Sequence, residues 1–592
     1  MPLDRDRLGE PYGKVGIGNQ SMLGIMGNNR DVSVGEIFMI YSKRDGSERV
    51  FFFRVLDLEN YLRHVDDMSR VAGTLMVEGD AYLSGIERNM LLAVGGKMLG
   101  YAELKKDPKS GDDQWEFRSP RRLPDHLADV YRPLRGTSDA VVREMLDTQT
   151  GGEIYVGDLQ IGESTLDVPI SIPAKYLPMH VGIFGSTGAG KSNLMMVLVK
   201  AMIDNNLQAA RNKDASLRRV SAFCIDPHDE FAQGVDQYGI QDIVEAMDPQ
   251  TRSDVLGDFY YLTSHLAATS REISRYGRDI RILWEEIQPR DLYSIMDFTP
   301  QMSFFIDSIY AQERENWVAA ILDMSEDPSG TPSGTVHAVQ RRLGVLERSS
   351  IFARSGNSIL SDIYTAMESG RVLVVNTTLL SDMEQFLLTT VVTRTVSDLR
   401  RAAKSSGTLG DFEAQGQVRL PRPFFERVKA QAKKFYSAGG ADDAAPMRDL
   451  RTLPVIMITV EEAPSILNPQ LMQGQSVFKD ISRQGRKFNI GLLVVSQQVS
   501  VLDNVILSQM NTEINLRLGN EREIKACIEN ASVNISGFED EFRVMARGEA
   551  ILTASYRELP LPLKIPLFDD LFKRDRSKYK SPKARPDEKH ML

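Results

Sequence analysis

At 592 residues the chain has room for three to four domains of about 150 residues each, which excludes a single small module. A composition of 42% hydrophobic, 26% charged and 8% aromatic residues excludes a disordered or fibrous protein. Seventy-one Lys and Arg against 81 Asp and Glu leave a net charge of -10, so any polyanion site has to be local.

From Tyr12 to about Leu104, short apolar runs (Val15–Ile17, Met22–Met26, Glu36–Tyr41, Val50–Val55, Leu91–Val94) alternate with Gly, Asn and Asp. Closely spaced short strands predict a small all-β barrel. Lys105–Arg122 reads as a long loop, with the barrel ending near it or wrapping back through Glu153–Ile172. At His180 the texture changes: Val181–Phe184 predicts a strand, Gly185–Gly190 a glycine-rich turn, and Lys191–Met202 a helix. Val220–Ile225, Val372–Val375, Val455–Val460, Ile490–Val495 and Glu513–Leu518 predict further strands. Most are followed by helical segments, the pattern of an α/β fold with a parallel sheet. Between Asp226 and Arg371 the periodicity is mostly helical, which predicts a helical insertion. Leu409–Asp449 holds a basic, aromatic stretch that reads as a solvated amphipathic helix, followed by small polar residues, Ser437–Pro446, expected to be weakly ordered. Lys573–Lys589 is a basic tail with eight basic residues against three acids.

Cys224 and Cys527 cannot build a disulfide framework or a four-cysteine zinc site, which points to a reducing compartment. Met1–Gln20 lacks the charged-then-apolar order of a signal, and no window reaches the roughly 18 apolar residues of a spanning helix. The expectation is a cytoplasmic protein with no membrane anchor.

Gly185-Ser186-Thr187-Gly188-Ala189-Gly190-Lys191-Ser192 fits G-x-x-x-x-G-K-[ST] without a mismatch, between a predicted strand and helix. Such glycines let the backbone wrap a phosphate, Lys191 reaches the β and γ phosphates of ATP, and Ser192 ligates Mg2+. Hydrolysis also needs carboxylates. The apolar strand Val455–Val460 ends in Glu461-Glu462, and alternation along a strand turns Glu461 toward the metal and Glu462 toward the γ-phosphate as the catalytic residue. The next strand ends in Ser496-Gln497-Gln498; Gln497 either senses the γ-phosphate or closes the strand by an ordinary hydrogen bond. Ile225-Asp226-Pro-His-Asp-Glu-Phe231 brings further acids to the carboxyl edge of the sheet, with Asp226 a candidate metal ligand.

Four stretches resemble the HerA family of hexameric, DNA-translocating ATPases in the HerA-FtsK branch of P-loop proteins: His180–Asn193, Ile225–Phe231, Thr459–Ala463, and Arg483–Gly491 continuing through Ser496-Gln497-Gln498. With weaker echoes at Leu507–Thr512 and Gly548–Ala550, the resemblance spans most of 176–566. The chain departs from the family pattern at Asp229, where the family has glycine, at Phe231 for tyrosine, at Pro464 for histidine, and at Met179, where a basic residue is common.

The resemblance implies a HAS-type β-barrel with linker at 1–172, a RecA-like ATPase core at 173–239 and 351–566, a helical insertion at 240–350 and a tail at 567–592 that crosses to the adjacent subunit. It adds Asn193 to the phosphate site. It also implies a homohexamer with double-stranded DNA in its channel and an arginine finger, for which Arg486 is the candidate and Arg483 the alternative. The implied partner is a NurA-like nuclease or a Sir2-like or other antiphage effector. A different expectation for the same residues is a ring that binds ATP chiefly to organise an effector enzyme.

Overall fold

The computed structural model describes residues 3–18, 22–27, 32–44, 46–57, 92–106, 112–212, 217–293, 295–325, 331–461, 463–467, 469 and 476–580. The chain forms two compact units. One gathers Met1–Pro173, Ile183–Lys191 and Asn511–Pro566, and the other Ala174–Gly182, Ser192–Met510 and Leu567–Leu592.

The first unit begins with strands β1 (Glu10–Gly18), β2 (Met22–Gly27), β3 (Ile37–Arg44), β4 (Ser47–Asp57), β5 (Leu92–Lys106), β6 (Asp113–Arg118) and β7 (Asp129–Arg132). Their order is β2-β1-β7-β3-β4-β5-β6, and a further antiparallel pairing of β2 with β5 closes the sheet into the expected barrel. Alternate residues point inward, Phe38 and Ile40 from β3 and Phe51, Phe53 and Val55 from β4, because side chains along a strand change face at every step. The predicted loop at Lys105–Arg122 is corrected: β6 lies inside it and pairs with β5 from Tyr101↔Arg118 to Lys106↔Asp113. Helix α1 (Asp139–Thr150) follows, then the antiparallel pair β8 (Ile154–Ile161) and β9 (Ser164–Ile172).

β10 (Val181–Phe184) begins in the second unit and ends in the first, and leads through the glycine turn into helix α2 (Lys191–Asn212). The second unit is the α/β layer. It holds β11 (Val220–Asp226), β12 (Tyr261–Thr263), β13 (Gly277–Asp279), a separate two-stranded pair β14 (Ile282–Leu283) and β15 (Phe352–Ala353), then β16 (Val372–Asn376), β17 (Val455–Val460) and β18 (Ile490–Ser496). The run β13-β12-β16-β11-β17-β18 is parallel throughout. Every residue of β17 and β18 is buried, which explains their unbroken apolar sequence: helices cover both faces of a parallel sheet, so neither face is left to polar residues. The predicted insertion at 240–350 is not purely helical, since β12 and β13 extend this sheet.

Helix α3 (Asp382–Ser405) starts at a capping box, Ser381 N donating to Glu384 Oε2 at 3.0 Å, and is buried along most of its length. Its Arg400 is a fully buried hub. It makes a bidentate pair with Glu368 (2.9 and 3.0 Å) and donates to the carbonyls of Phe488, Asn489 and Pro454, each at 3.0 Å, while Tyr436 donates to Glu368 at 2.8 Å.

The stretch after α3 is corrected from weak order to structure. Helices Leu409–Arg419 and Arg422–Tyr436 are followed by a turn held by the bridges Thr408↔Pro446 and Ser437↔Met447 and by Lys433 on Asp443 at 2.8 Å. The solvated-helix reading of its basic residues stands in part. Lys429 and Lys433 pair with Glu413, Arg427 with Glu285 and Glu286, and Phe424, Phe425 and Val428 are buried.

Helix α4 (Val477–Phe488) precedes β18. β19 (Thr512–Leu516), the strand expected near Glu513–Leu518, stands next to β10 in the strand order, and from it β20 (Glu549–Ala554) and β21 (Leu561–Lys564) continue as an antiparallel run with β8 and β9. Within the first unit Arg54 of β4 forms a buried ion pair with Glu541, so 511–566, expected in the ATPase core, groups with the N-terminal residues. Helix α5 (Phe568–Asp575) belongs to the second unit. Its Asp575 accepts from Lys200 of α2 at 2.8 Å. The rest of the tail, beyond 580, lies outside the described residues.

Candidate nucleotide site

β10 is four buried apolar residues, and it leaves the sheet at Gly185. A Cβ there would stand 2.9 Å from Leu516 Cβ, so only glycine fits. Gly188 and Gly190 adopt φ of +74° and +109°, conformations open to glycine, and nothing lies within 4 Å of where a Gly188 Cβ would project. The tip of the loop is therefore open at Gly188. Ser186 N donates to Arg517 O at 2.9 Å and Gly548 N to Ala189 O at 3.0 Å, which fixes both limbs.

Thr187 and Gly188 are exposed at the tip, Ala189 is buried, and Ser186, Gly190, Lys191, Ser192 and Asn193 are half-buried. Lys191 Nζ donates to the carbonyls of Gly185 (2.8 Å) and Ser186 (3.0 Å), so the ammonium sits inside the curl. The 22-residue α2 begins here and directs its N-terminal dipole at the loop. The open cradle, the lysine and the Ser192 hydroxyl at the helix start fit a nucleotide's phosphates with magnesium.

Asn193 has a partner on its own chain. Its Oδ1 accepts from Phe568 N at 2.9 Å and so satisfies the start of α5, whose N-cap residue Leu567 has no side-chain acceptor.

In the second unit the parallel register sets the other candidates. Phe223 is level with Ile458, Asp226 with Asn376, and Val460 with Val494, so Asn376, Asp226, Glu461 and Gln497 all emerge at the carboxyl edge of the sheet. The β11–β17 ladder stops at Phe223↔Ile458. Beyond it the Thr459 hydroxyl takes over, accepting from Ile225 N at 2.8 Å and donating to Phe223 O at 3.0 Å, as the strands part. Burial raises the Cys224 thiol, and the neighbouring charges of Glu461 and Asp226 add to it, which places both carboxylates around one side chain.

Asp226 braces the end of its own strand. Its two oxygens accept from Glu230 N (3.0 Å) and Phe231 N (2.8 Å), so it holds the turn after β11; burial lifts it to about 6 against the pull of these donors. Glu461 is half-buried and Gln497 exposed; Glu462 lies outside the described residues. Among the described residues no group of three or more His, Cys, Asp and Glu side chains gathers as a metal cage.

The departure at residue 229 has a local explanation. Asp229 has φ +55°, a left-handed position that glycine takes freely and Asp tolerates. Its carboxylate accepts from Tyr261 Oη at 2.9 Å and Gln233 Nε2 at 2.7 Å, and Asn376 Nδ2 donates to Tyr261 Oη at 2.7 Å. Tyr261 and Asn376 were not foreseen, because no local motif marks either.

His180 was seen only as part of the motif. Its ring is buried between two elements, with Nδ1 accepting from Leu492 N of β18 and Nε2 donating to Ser482 O of α4, both at 3.0 Å. Those partners fix a neutral tautomer, and burial lowers its pKa to about 4. α4 is sharply two-faced. Phe478, Ile481, Ser482, Gly485 and Phe488 are buried, while Arg483, Arg486 and Lys487 are exposed. Among the described residues no helix is long and apolar enough to cross a membrane.

Residues 154–396 match the family model for the helicase HerA central domain. The DNA double-strand break repair helicase HerA of Pyrococcus furiosus is 24% identical over 413 residues, covering 66% of this chain and 66% of the relative. HerA of Sulfolobus acidocaldarius is 33% identical over 115 residues, 19% of this chain and 23% of its own. A probable helicase of Methanocaldococcus jannaschii is 22% identical over 484 residues, 80% of this chain and 77% of its own. The chain thus spans just under two thirds of the first relative and less than a quarter of the second. Among solved structures, VirB4 of Thermoanaerobacter pseudethanolicus aligns at a TM-score of 0.40 with 14% identity, over 71% of this chain and 97% of VirB4. The plasmid coupling protein TrwB with a non-hydrolysable ATP analogue aligns at 0.40 with 11% identity, over 73% and 93%.

Proposed function

We propose that the chain, whose residues 154–396 match the HerA central domain, is a P-loop ATPase of that family and hydrolyses ATP to drive movement along double-stranded DNA. The observation that carries the reading is the complete phosphate loop, Gly185–Ser192, with left-handed glycines at 188 and 190 and the Lys191 ammonium on its carbonyls.

In this reading Lys191 leaves the loop carbonyls for the β and γ phosphates, and Ser192 with Glu461 would hold a magnesium ion that would neutralise phosphate charge. Glu462 takes a proton from water as its oxygen bonds to the γ-phosphorus, and the bridging oxygen departs with ADP. Gln497 reads whether the γ-phosphate is present. Arg486, with Arg483 beside it on the exposed face of α4, is lent to a neighbouring subunit's nucleotide, which requires a ring, taken here as a homohexamer with DNA in its channel. With a net charge of -10 over the whole chain, the DNA path is a local basic surface, and binding weakens steeply with salt. A NurA-like nuclease or a Sir2-like or other antiphage effector is the proposed partner.

The test is ATP turnover by the purified chain and its partner, with and without duplex DNA. Turnover is expected to rise with DNA and to fall by about 10²-fold or more in Lys191→Ala and Glu462→Gln. Turnover indifferent to DNA would overturn the motor and leave the nucleotide site standing. Intact effector activity in Glu462→Gln would instead identify an assembly platform.

A further inference from the structure

The turn that leads into β20 lies against the phosphate loop, within the first unit. Gly548 N donates to Ala189 O at 3.0 Å, and a Cβ on Gly190 would stand 3.5 Å from that same nitrogen. Arg547 is bonded directly to Gly548, so its Cα lies within roughly 6 Å of that point on Gly190.

Ala546, Arg547, Gly548 and Glu549 reverse the chain in four residues. Glu549 N donates to Ala546 O at 3.1 Å across the reversal, and Gly548 takes φ +79° at the third place, as a type II turn requires. Three more bonds pin it. Lys564 Nζ donates to Arg547 O at 3.0 Å, Ile565 N to Gly548 O at 2.8 Å, and Ala546 N to Glu549 Oε2 at 2.8 Å.

One group of the turn is left over. Arg547 is exposed at its second place, and among the described residues the guanidinium makes no hydrogen bond and no ion pair. The acid two residues on is engaged elsewhere: Glu549 accepts from Gln160 Nε2 and Ala546 N, each at 2.8 Å, and stands 3.7 Å from Lys564 Nζ. A planar, always charged donor therefore stands on a fixed base beside the loop. Guanidinium groups match phosphate oxygens in charge and in geometry.

A loop of this sequence cradles the α and β phosphates with its backbone, while its lysine serves the β and γ phosphates. Resting on the ATPase reading above, we propose that Arg547 is a nucleotide-binding residue whose guanidinium reaches back over Gly190 to the α and β phosphates. Its part differs from that of Arg486. ATP and ADP both carry α and β phosphates, so this contact holds substrate, transition state and product alike. Binding of that uniform kind lowers KM and leaves kcat as it is.

The test is calorimetric titration of the full chain with Mg2+ and either ADP or a non-hydrolysable ATP analogue, together with steady-state ATP turnover. Arg547→Gln is expected to weaken both nucleotides about tenfold or more and to raise KM to match, with kcat and the thermal unfolding midpoint held. Arg547→Lys keeps the charge and loses the planar fork, and its affinities are expected to fall between those of wild type and Arg547→Gln. Lys191→Ala, measured alongside, separates two failures. No binding by wild type overturns the ATPase reading itself. Binding that Lys191→Ala abolishes and Arg547→Gln leaves unchanged overturns the arginine alone. Weakening confined to the triphosphate analogue, or a fall in kcat at constant KM, puts the group at the γ-phosphate and overturns its assignment to α and β.

Discussion

Replacing His180 by asparagine tests whether a neutral buried ring joins β18 to α4. Asparagine tolerates the left-handed backbone at this position, φ +68°, so the substitution removes the ring without straining the chain. At pH 7 the variant leaves Leu492 N–H and Ser482 C=O without the partners they have at 3.0 Å, a loss of about 2–4 kcal/mol for two buried backbone groups.

The pH dependence is the sharper signature. An imidazole ordinarily at 6.5 and here at about 4 must be neutral to fold, so its contribution is complete above pH 6.5 and is lost as pH falls to 4. The amount is about 3 kcal/mol. Asp226, raised from 3.8 to about 6, works the opposite way: the folded state holds its proton more tightly, so it adds roughly 3 kcal/mol as pH falls from 6 to 3.8. The two nearly cancel in the wild-type curve, and only the difference between wild type and His180→Asn isolates the ring. Urea unfolding read by hydrogen exchange on peptides covering 477–496, from pH 7 to pH 4.5, measures that difference. The gap between the proteins is expected to narrow toward acid; parallel curves would refute a neutral, buried imidazole.

Arg400→Met strands the fully buried Glu368 carboxylate and is expected to cost about 3–5 kcal/mol in urea denaturation, with Glu368→Gln in the same chain recovering part of the loss. Asn193→Ala is expected to speed hydrogen exchange across 568–575, for a loss of about 1 kcal/mol, while ATP affinity measured by calorimetry stays unchanged. A marked fall in affinity would return Asn193 to the nucleotide. Asp229→Gly trades relief of a left-handed aspartate, about 1 kcal/mol, against two lost hydrogen bonds, and its melting temperature is expected to move by only a few degrees.

The phosphate loop was legible because its information is local: glycine, lysine and serine spacing, between an apolar strand and a helix, is chemistry within eight residues. The parallel strands were legible for a similar reason, since burial on both faces leaves an unbroken apolar run. Contacts that bridge distant parts of the chain left no such mark. His180 meets partners 302 and 312 residues away, and the turn at Ser437–Pro446 gains its order from Thr408, Lys433 and Met447 rather than from its own small side chains. Asn193 and Asp226 carry a second role that no motif announces: their oxygens accept from backbone N–H groups, Phe568 in the one case and Glu230 and Phe231 in the other.

His180 immediately precedes the strand that ends in the glycine turn, and its ring touches the helix that displays Arg483 and Arg486. Two hydrogen bonds through one flat heterocycle tie β18 to α4, so the exposed arginines of that helix are held at a fixed height above the sheet.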